Sequence, residues 1–218
     1  AAGPPVTEIE SIHLDDAATI MYTSGTTGRP KGVMQTFANH YFSAVSSALN
    51  LGLQEHDRWL IALPLFHISG LSALFKSVIY GMTVVLHQRF DAEEVLRSIK
   101  DQQVTIASVV QTMLSRLAAK VDRCPGSLRC LLLGGGPAPL SLLEECKRKR
   151  LPVVQSYGMT ETCSQIATLA PEYSIEKLGS AGKPLFASSI KIEKNGTECQ
   201  PGEHGEITVK GPTVMKGY

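Results

Sequence analysis

The chain has 218 residues, 43% of them hydrophobic, enough for one large domain or two small ones with a sizeable buried core. Twenty-one Lys and Arg against twenty Asp and Glu leave a formal charge of +1, so the basic footprint of a nucleic-acid or anionic-membrane binder is missing. The 19% charged share lies below the roughly 25% usual for soluble domains, which predicts either compositional scatter or faces covered by protein outside this chain.

Apolar β-branched runs alternate with stretches of helical period. Strands are predicted at residues 18–22, 59–63, 83–87, 105–109, 129–133 and 153–155. Helices are predicted at 37–49, 70–80, 91–102 with Asp91 as N-cap, from the strand at 105–109 to about 120, and at 139–150 with a basic last turn at 147–150. Repeated strand–helix units of this length predict an α/β fold: a mostly parallel layered sheet flanked by helices. After about Pro184 the pattern changes. Residues 188–193 and 206–209 alternate, and Lys194-Asn195-Gly196 is a hairpin signal, so an antiparallel β subdomain is expected to begin there. The expected division is 1–185 as the α/β nucleotide-binding subdomain and 186–218 as an incomplete β subdomain.

The longest apolar stretch, residues 59–75, is broken by Pro64, His67, Ser69, Gly70 and Ser72, so no membrane span is expected. The five cysteines (Cys124, Cys130, Cys146, Cys163 and Cys199) are odd in number and contain no C-x-x-C pair. They suit neither a disulfide framework nor a zinc site, and reduced, mostly buried thiols in a cytoplasmic protein are expected. The chain opens Ala-Ala-Gly-Pro-Pro without an initiator Met and stops at Tyr218 soon after a strand-like run, so a slice of a longer protein is expected.

The strongest chemical signal is Tyr22-Thr-Ser-Gly-Thr-Thr-Gly-Arg-Pro-Lys-Gly32, directly after a predicted strand. Glycines let backbone N–H groups face an anion, hydroxyls add donors, and Lys31 supplies a point charge: a phosphate cradle, with a flexible polar loop as the bland alternative. It is not a Walker A loop, because Arg29-Pro30 separates Gly28 from Lys31 and Gly32 stands where a Mg²⁺-binding hydroxyl belongs. Gly134-Gly135-Gly136-Pro137 ends a buried strand before a helix. That is either a tight turn or a crevice where backbone approaches a base and ribose closely.

Residues 22–33 resemble the phosphate-binding signature of the adenylate-forming superfamily of acyl-CoA synthetases, luciferases and peptide-synthetase adenylation domains. Three further segments resemble family motifs in order: Pro64-Leu-Phe-His-Ile-Ser-Gly70, Gln155-Ser-Tyr-Gly-Met-Thr-Glu161, and Gly205-Glu-Ile-Thr-Val-Lys-Gly-Pro running on to Gly217-Tyr218. The texture of residues 133–139, 159–165 and 179–185 is similar to the branch that ligates o-succinylbenzoate to CoA in menaquinone biosynthesis. The resemblance implies an AMP-forming acid–CoA ligase that uses ATP, Mg²⁺, CoA and a small carboxylic acid, with a homo-oligomer among the open oligomeric states. A non-catalytic adenylate-binding module and a relative activating another acid stay open as alternatives.

The resemblance also assigns roles. Thr23, Ser24, Gly25, Thr26, Thr27, Gly28 and Lys31 would hold the β- and γ-phosphates, Thr160 would bond the α-phosphate, and Glu161 would hold Mg²⁺. Lys31, Thr160 and Glu161 are thus the catalytic candidates. Gly134, Gly135, Gly136 and Pro137, with Ser156, Tyr157 and Gly158, would take the nucleotide, Tyr157 lying against adenine. His67, Ser69, Gly70 and Gly135 would line the acyl side. His67, in an apolar setting, would otherwise be a satisfied core residue, and no general base is needed for an acid already ionised at pH 7. Lys76 is expected to snorkel to the surface, with a lean toward the acyl pocket as the alternative. The resemblance further implies an N-terminal subdomain, a T-G-D segment and a small C-terminal domain with a catalytic Lys outside this chain, so residues 1–218 alone are expected to be inactive.

Overall fold

The computed structural model describes residues 11–23 and 29–218. A seven-stranded sheet organises it, in the order β4-β3-β5-β6-β7-β8-β9. These strands are β3 (Arg58–Ile61), β4 (Thr83–Leu86), β5 (Ile106–Val110), β6 (Cys130–Gly134), β7 (Val153–Met159), β8 (Ser164–Leu169) and β9 (Lys183–Pro184). From β4 to β7 the neighbours run parallel, whereas β8 and β9 join antiparallel. Five helices connect or cover them: α1 (Phe37–Leu51), α2 (Ile68–Tyr80), α3 (Ala92–Asp101), α4 (Gln111–Lys120) and α5 (Leu140–Arg148).

The parallel strands β3, β5 and β6 are mostly apolar because both faces are covered, with Arg58 at an exposed strand start and Ser108 as a buried exception. On β6, Leu131 and Leu133 face one core with Leu60, Ala107, Ile99 and Leu143, while Cys130 and Leu132 face another with Trp59, Ile61, Ala73 and Val154. That is the two-residue period of a strand read on both sides. Helix starts follow local chemistry. Thr36 Oγ1 accepts the Asn39 N–H (3.2 Å) and Asn39 Oδ1 accepts the Thr36 N–H (2.8 Å), and Asp91 Oδ1 accepts from the N–H groups of Glu93 and Glu94. Arg129 grips Asp57 through two bonds (Nε to Oδ1 2.8 Å, Nη2 to Oδ2 2.5 Å) and donates to the Leu51 carbonyl, tying the α1–β3 connection to the start of β6.

The predicted first strand forms as β1 (Ala17–Thr23), but outside the large sheet. It pairs antiparallel with β2 (Lys31–Thr36), a strand that sequence pattern does not reveal, in a separate ribbon. The strand expected at 153–155 runs on to Met159, because β8 pairs along it. The antiparallel unit after Pro184 forms as β10 (Ser189–Lys194), β11 (Thr197–Glu198) and β12 (Glu206–Lys210), ordered β11-β10-β12. Its hairpin turns on Asn195 (φ 53°) and Gly196 (φ 78°), the two positive-φ positions of a type I′ turn. All five cysteines are free; Cys130, Cys146 and Cys163 are buried, Cys124 and Cys199 half-buried.

Lys76 does not snorkel. It is 1% exposed, on the face of α2 that packs over β3 and β8, and its ammonium lies 5.6 Å from the Trp59 ring centroid. Ser72, Ala73 and Ser77 around it on α2 are buried as well, so the side chain is held in the interior.

Candidate nucleotide and acyl site

The C-terminal ends of β5, β6 and β7 open on a cleft of about 100 Å³, the end of an α/β sheet where ligands bind. Its walls are Trp59, Ser72, Val110, Gly135, Met159 and Gln165, with Ser69, Gly134, Ser156 and Gly158 among the other lining residues. Gly135 has φ +80°, and a Cβ there would crowd Val110 Cγ1 at 3.3 Å. A larger cavity, about 600 Å³, lies at the opposite end of the strands beside Arg129, Cys130 and Val154. It is lined by Ser180, Gly182, Lys183, Pro184 and Leu185 of the segment 179–185 but by none of the predicted site residues.

The ribbon pairs the two ends of the predicted phosphate-binding segment. Thr23 closes β1, Lys31 opens β2, and the two are paired across the ribbon, so the ends of the loop are held together. Ser24, Gly25, Thr26, Thr27 and Gly28 lie outside the described residues. Beyond β7 the chain makes one 3-10 turn, Thr160–Thr162. The Thr160 carbonyl accepts from the Cys163 N–H (3.1 Å) and from Gln35 Nε2 (2.6 Å), and the Glu161 carbonyl accepts from the Met215 N–H (2.8 Å). The C-terminal segment is stitched to β2 by Met34 N–H to Gly217 O and Lys216 N–H to Met34 O, both 2.9 Å. Asn39 Nδ2 adds bonds to the Pro212 and Val214 carbonyls.

That stitching places Tyr218 between two predicted site residues. Its hydroxyl donates to Glu161 Oε1 (3.2 Å), and Lys31 Nζ stands 4.9 Å over its ring centroid. Lys31 and the Thr160–Glu161 turn, distant in sequence, therefore come together around Tyr218. Among the described residues no group of three or more His, Cys, Asp or Glu gathers to cage a metal. A lone Glu161 carboxylate suits a Mg²⁺ ion that arrives on nucleotide phosphates, since such ions keep most of their water and take only one or two carboxylates.

The other expected residues are placed unevenly. Ser69, Gly134, Gly135, Ser156 and Gly158 line the cleft, and Ser156 Oγ is turned to the Leu133 carbonyl (2.8 Å). Tyr157 is half-buried on β7 opposite Ala167, while Gly136 and Pro137 are exposed. His67 is exposed at the N-cap of α2 beside Phe66, with ring centroids 4.6 Å apart, and is not a core histidine. Gly70 is buried against the Pro64 carbonyl, which a Cβ would approach to 2.5 Å, so it has a packing reason of its own.

Sequence reasoning missed several groups. Trp59 Nε1 donates to Ser108 Oγ (2.9 Å) in the cleft wall, and Gln165 Oε1, on a 3% exposed residue lining the cleft, has no hydrogen-bond partner among the described residues. Lys76 sits one helical turn beyond Ser72, behind the wall and outside the lining set. Burial lowers its pKa to about 8. Two residues carried a signal: Tyr218 as the last residue of the fourth motif, and Lys76 as the lone charge in an apolar helix.

Comparison with known proteins places these features. A family profile described as AMP-binding enzyme matches residues 2–218. A 2-succinylbenzoate–CoA ligase of Bacillus velezensis is 75% identical over 207 residues, 95% of this chain and 42% of that protein. O-Succinylbenzoate coenzyme A synthetase from Bacillus subtilis in complex with ATP and magnesium ion superposes with a TM-score of 0.95 at 73% identity, covering 97% of this chain and 45% of that one. The same enzyme in complex with the acyl-adenylate intermediate OSB-AMP gives 0.92 at 73% identity, over 94% and 42%. The chain thus spans less than half the length of the relatives it matches. No described helix is long and apolar enough to cross a membrane.

Proposed function

Because the chain belongs to the AMP-binding enzyme family, we propose that the protein carrying it is an AMP-forming acid–CoA ligase acting on 2-succinylbenzoate in menaquinone biosynthesis. The observation that carries this function is the meeting of Lys31 and Glu161 on Tyr218, with Thr160 next to Glu161 on a turn that directly follows the cleft residue Met159. The relatives at 73–75% identity supply the substrate.

In the first step a substrate carboxylate oxygen attacks the α-phosphorus of ATP. The bond to the pyrophosphate oxygen breaks, leaving acyl-adenylate and pyrophosphate. In the second, the CoA sulfur attacks the acyl carbon, AMP leaves with the C–O electron pair, and the thiol proton goes to solvent. The protein's task is positioning and charge stabilisation. Lys31 and residues 23–28 would hold the departing phosphates, Thr160 would bond the α-phosphate, and Glu161 would hold the Mg²⁺ that neutralises phosphate charge. Tyr218 orients that carboxylate through its 3.2 Å bond.

A cleft of about 100 Å³ is too small for an adenylate. It takes part of the acyl group, and the nucleotide lies across the Gly134–Gly136 rim, with Tyr157 beside the base. The acid's second carboxylate stays un-activated, and the buried Lys76 ammonium behind the wall makes the cleft floor electropositive for it. His67 contacts substrate at the rim and removes no proton. The five free thiols suit a reducing, cytoplasmic setting.

ATP–pyrophosphate exchange by the parent protein tests this. We expect 2-succinylbenzoate to exceed fatty and amino acids by at least about 100-fold in kcat/KM, the scale set by a buried group left without its partner. Equal rates with a fatty acid would overturn the substrate. Nucleotide binding with no exchange for any acid would favour an adenylate-binding module.

A further inference from the structure

The turn that carries Thr160 and Glu161 ends in unfavourable backbone. Cys163 (φ 51°) and Ser164 (φ 94°) are consecutive non-glycine residues in the left-handed region. Such geometry persists only where its surroundings over-determine it. Behind the turn lies a set of buried polar side chains that the reaction does not use: Gln35 and Cys163 at 0% exposure, His40 at 2%, and the partly buried Thr19.

Their hydrogen-bond directions follow from donor inventory alone. A carbonyl only accepts, so Gln35 must turn its amide N–H to Thr160 O (2.6 Å), which leaves Gln35 Oε1 facing Thr19 Oγ1 (2.9 Å). Thr19 must then donate its single hydroxyl proton to Gln35 and accept from His40 Nε2–H (2.9 Å). A neutral His40 carries its proton there, so Nδ1 accepts from the Cys163 thiol (3.3 Å). The Cys163 N–H returns to Thr160 O (3.1 Å), and the circuit closes. Burial and nearby Lys76 hold the His40 pKa down at about 4, and burial pushes the Cys163 thiol up to about 12, in keeping with the neutral forms the circuit needs.

We propose that this closed ring, Cys163–His40–Thr19–Gln35–Thr160, is a positioning device that fixes the Thr160–Glu161 turn relative to the strand bearing Lys31; the proposal rests on the function assigned to that turn above. Gln35 lies four residues beyond Lys31 on β2, on the same side of the strand, and its amide is the ring's link to the turn. Ser43 Oγ adds a bond to the Cys163 carbonyl (2.7 Å). A core that needed only filling would be served by apolar side chains at these positions. Gln35, Thr19 and His40 are positioning residues, acting through Thr160 and Glu161.

The test is made on the parent protein. Thr19→Val, isosteric but without the hydroxyl, and Gln35→Leu should lower kcat for adenylation about 10- to 100-fold with KM for ATP little changed, and should raise the free Mg²⁺ needed for half-maximal rate. Thr19→Ser should restore both. Should Thr19→Val fail to fold, Cys163→Ala against Cys163→Ser reads the same ring from its other end. Ring ¹⁵N shifts of His40 should report the Nε2–H tautomer. A normal Mg²⁺ dependence and kcat in Thr19→Val, or the Nδ1–H tautomer, would overturn the ring while leaving the function intact. A wild-type parent without exchange for any acid would overturn the function itself and this proposal with it.

Discussion

Lys76 concentrates the conflict between folding and binding at the scale of one residue. Its ordinary pKa of 10.5 falls to about 8 because burial disfavours the ammonium. Below pH 8 it is charged in both the folded and unfolded chain, and the folded state bears the whole cost of burying it. Between pH 8 and 10.5 the native protein has shed the proton that the unfolded chain keeps, so stability rises with pH. Cys130 and Cys163, with thiols pushed to about 12 from 9, work the other way from pH 9 upward, because only the unfolded chain ionises there. Comparing Lys76→Met with wild type cancels Cys130, whereas Cys163 feels the Lys76 charge and is pushed further up without it. We expect the variant to be more stable at pH 7 by about 1–3 kcal/mol, the range for replacing a buried charge with an apolar group. Its advantage should shrink as pH rises above 8, read by urea unfolding across pH 6–10. In exchange assays on the parent its KM for 2-succinylbenzoate should rise about tenfold or more. Unchanged KM would leave Lys76 without a part in recognising the acid.

At the level of the element, the junction of β7 and β8 sets where the Thr160–Glu161 turn lies. The register shifts between Tyr157 and Gly158, and β8 crosses so close that a Cβ at position 158 would collide with the Ser164 carbonyl. Gly158→Ala must push backbone aside, and we expect a loss of about 2–4 kcal/mol in urea unfolding with severe loss of activity in the parent. A fully stable, active Ala variant would contradict that crossing. The same junction shows what sequence pattern could and could not reveal. β3, β5 and β6 are continuous apolar runs between turn signals, so their burial on both faces is readable residue by residue. β8 is not: it buries Gln165 and Thr168, the latter only because Asn50 on α1 accepts its hydroxyl (2.9 Å). β2 holds Lys31, Gly32 and Gln35 in six residues and becomes a strand through pairing with β1. The motif residues were legible because phosphate chemistry demands glycine, hydroxyl and lysine at short spacing. Gln35 and His40 were not, since their partners lie 125 and 123 residues away in the chain.

Across the whole molecule, the low charge of the chain meets its exposed apolar side chains. Val78, Phe66 and Leu49 are 78%, 75% and 65% exposed, and Val78 and Leu49 lie toward the C-terminal ends of α2 and α1. The relatives are more than twice as long as the region matched, and the family resemblance implies further groups that grip the ribose and the α-phosphate from outside residues 1–218. Removing one well-placed transition-state donor costs on the order of 3 kcal/mol, a factor of about a hundred in rate. Two such losses bring adenylation about four orders of magnitude below the parent. We therefore expect residues 1–218, expressed alone, to bind an apolar dye through the uncovered helix face. We expect them to release pyrophosphate at less than about a thousandth of the parent's rate, even at saturating ATP and 2-succinylbenzoate. Adding the remaining part of the parent as a separate polypeptide should quench the dye signal and restore exchange together, because the same covering chain supplies both the apolar lid and the missing donors. Full thioester formation by residues 1–218 alone would mean that Lys31, Thr160, Glu161 and Tyr218 suffice for the chemistry.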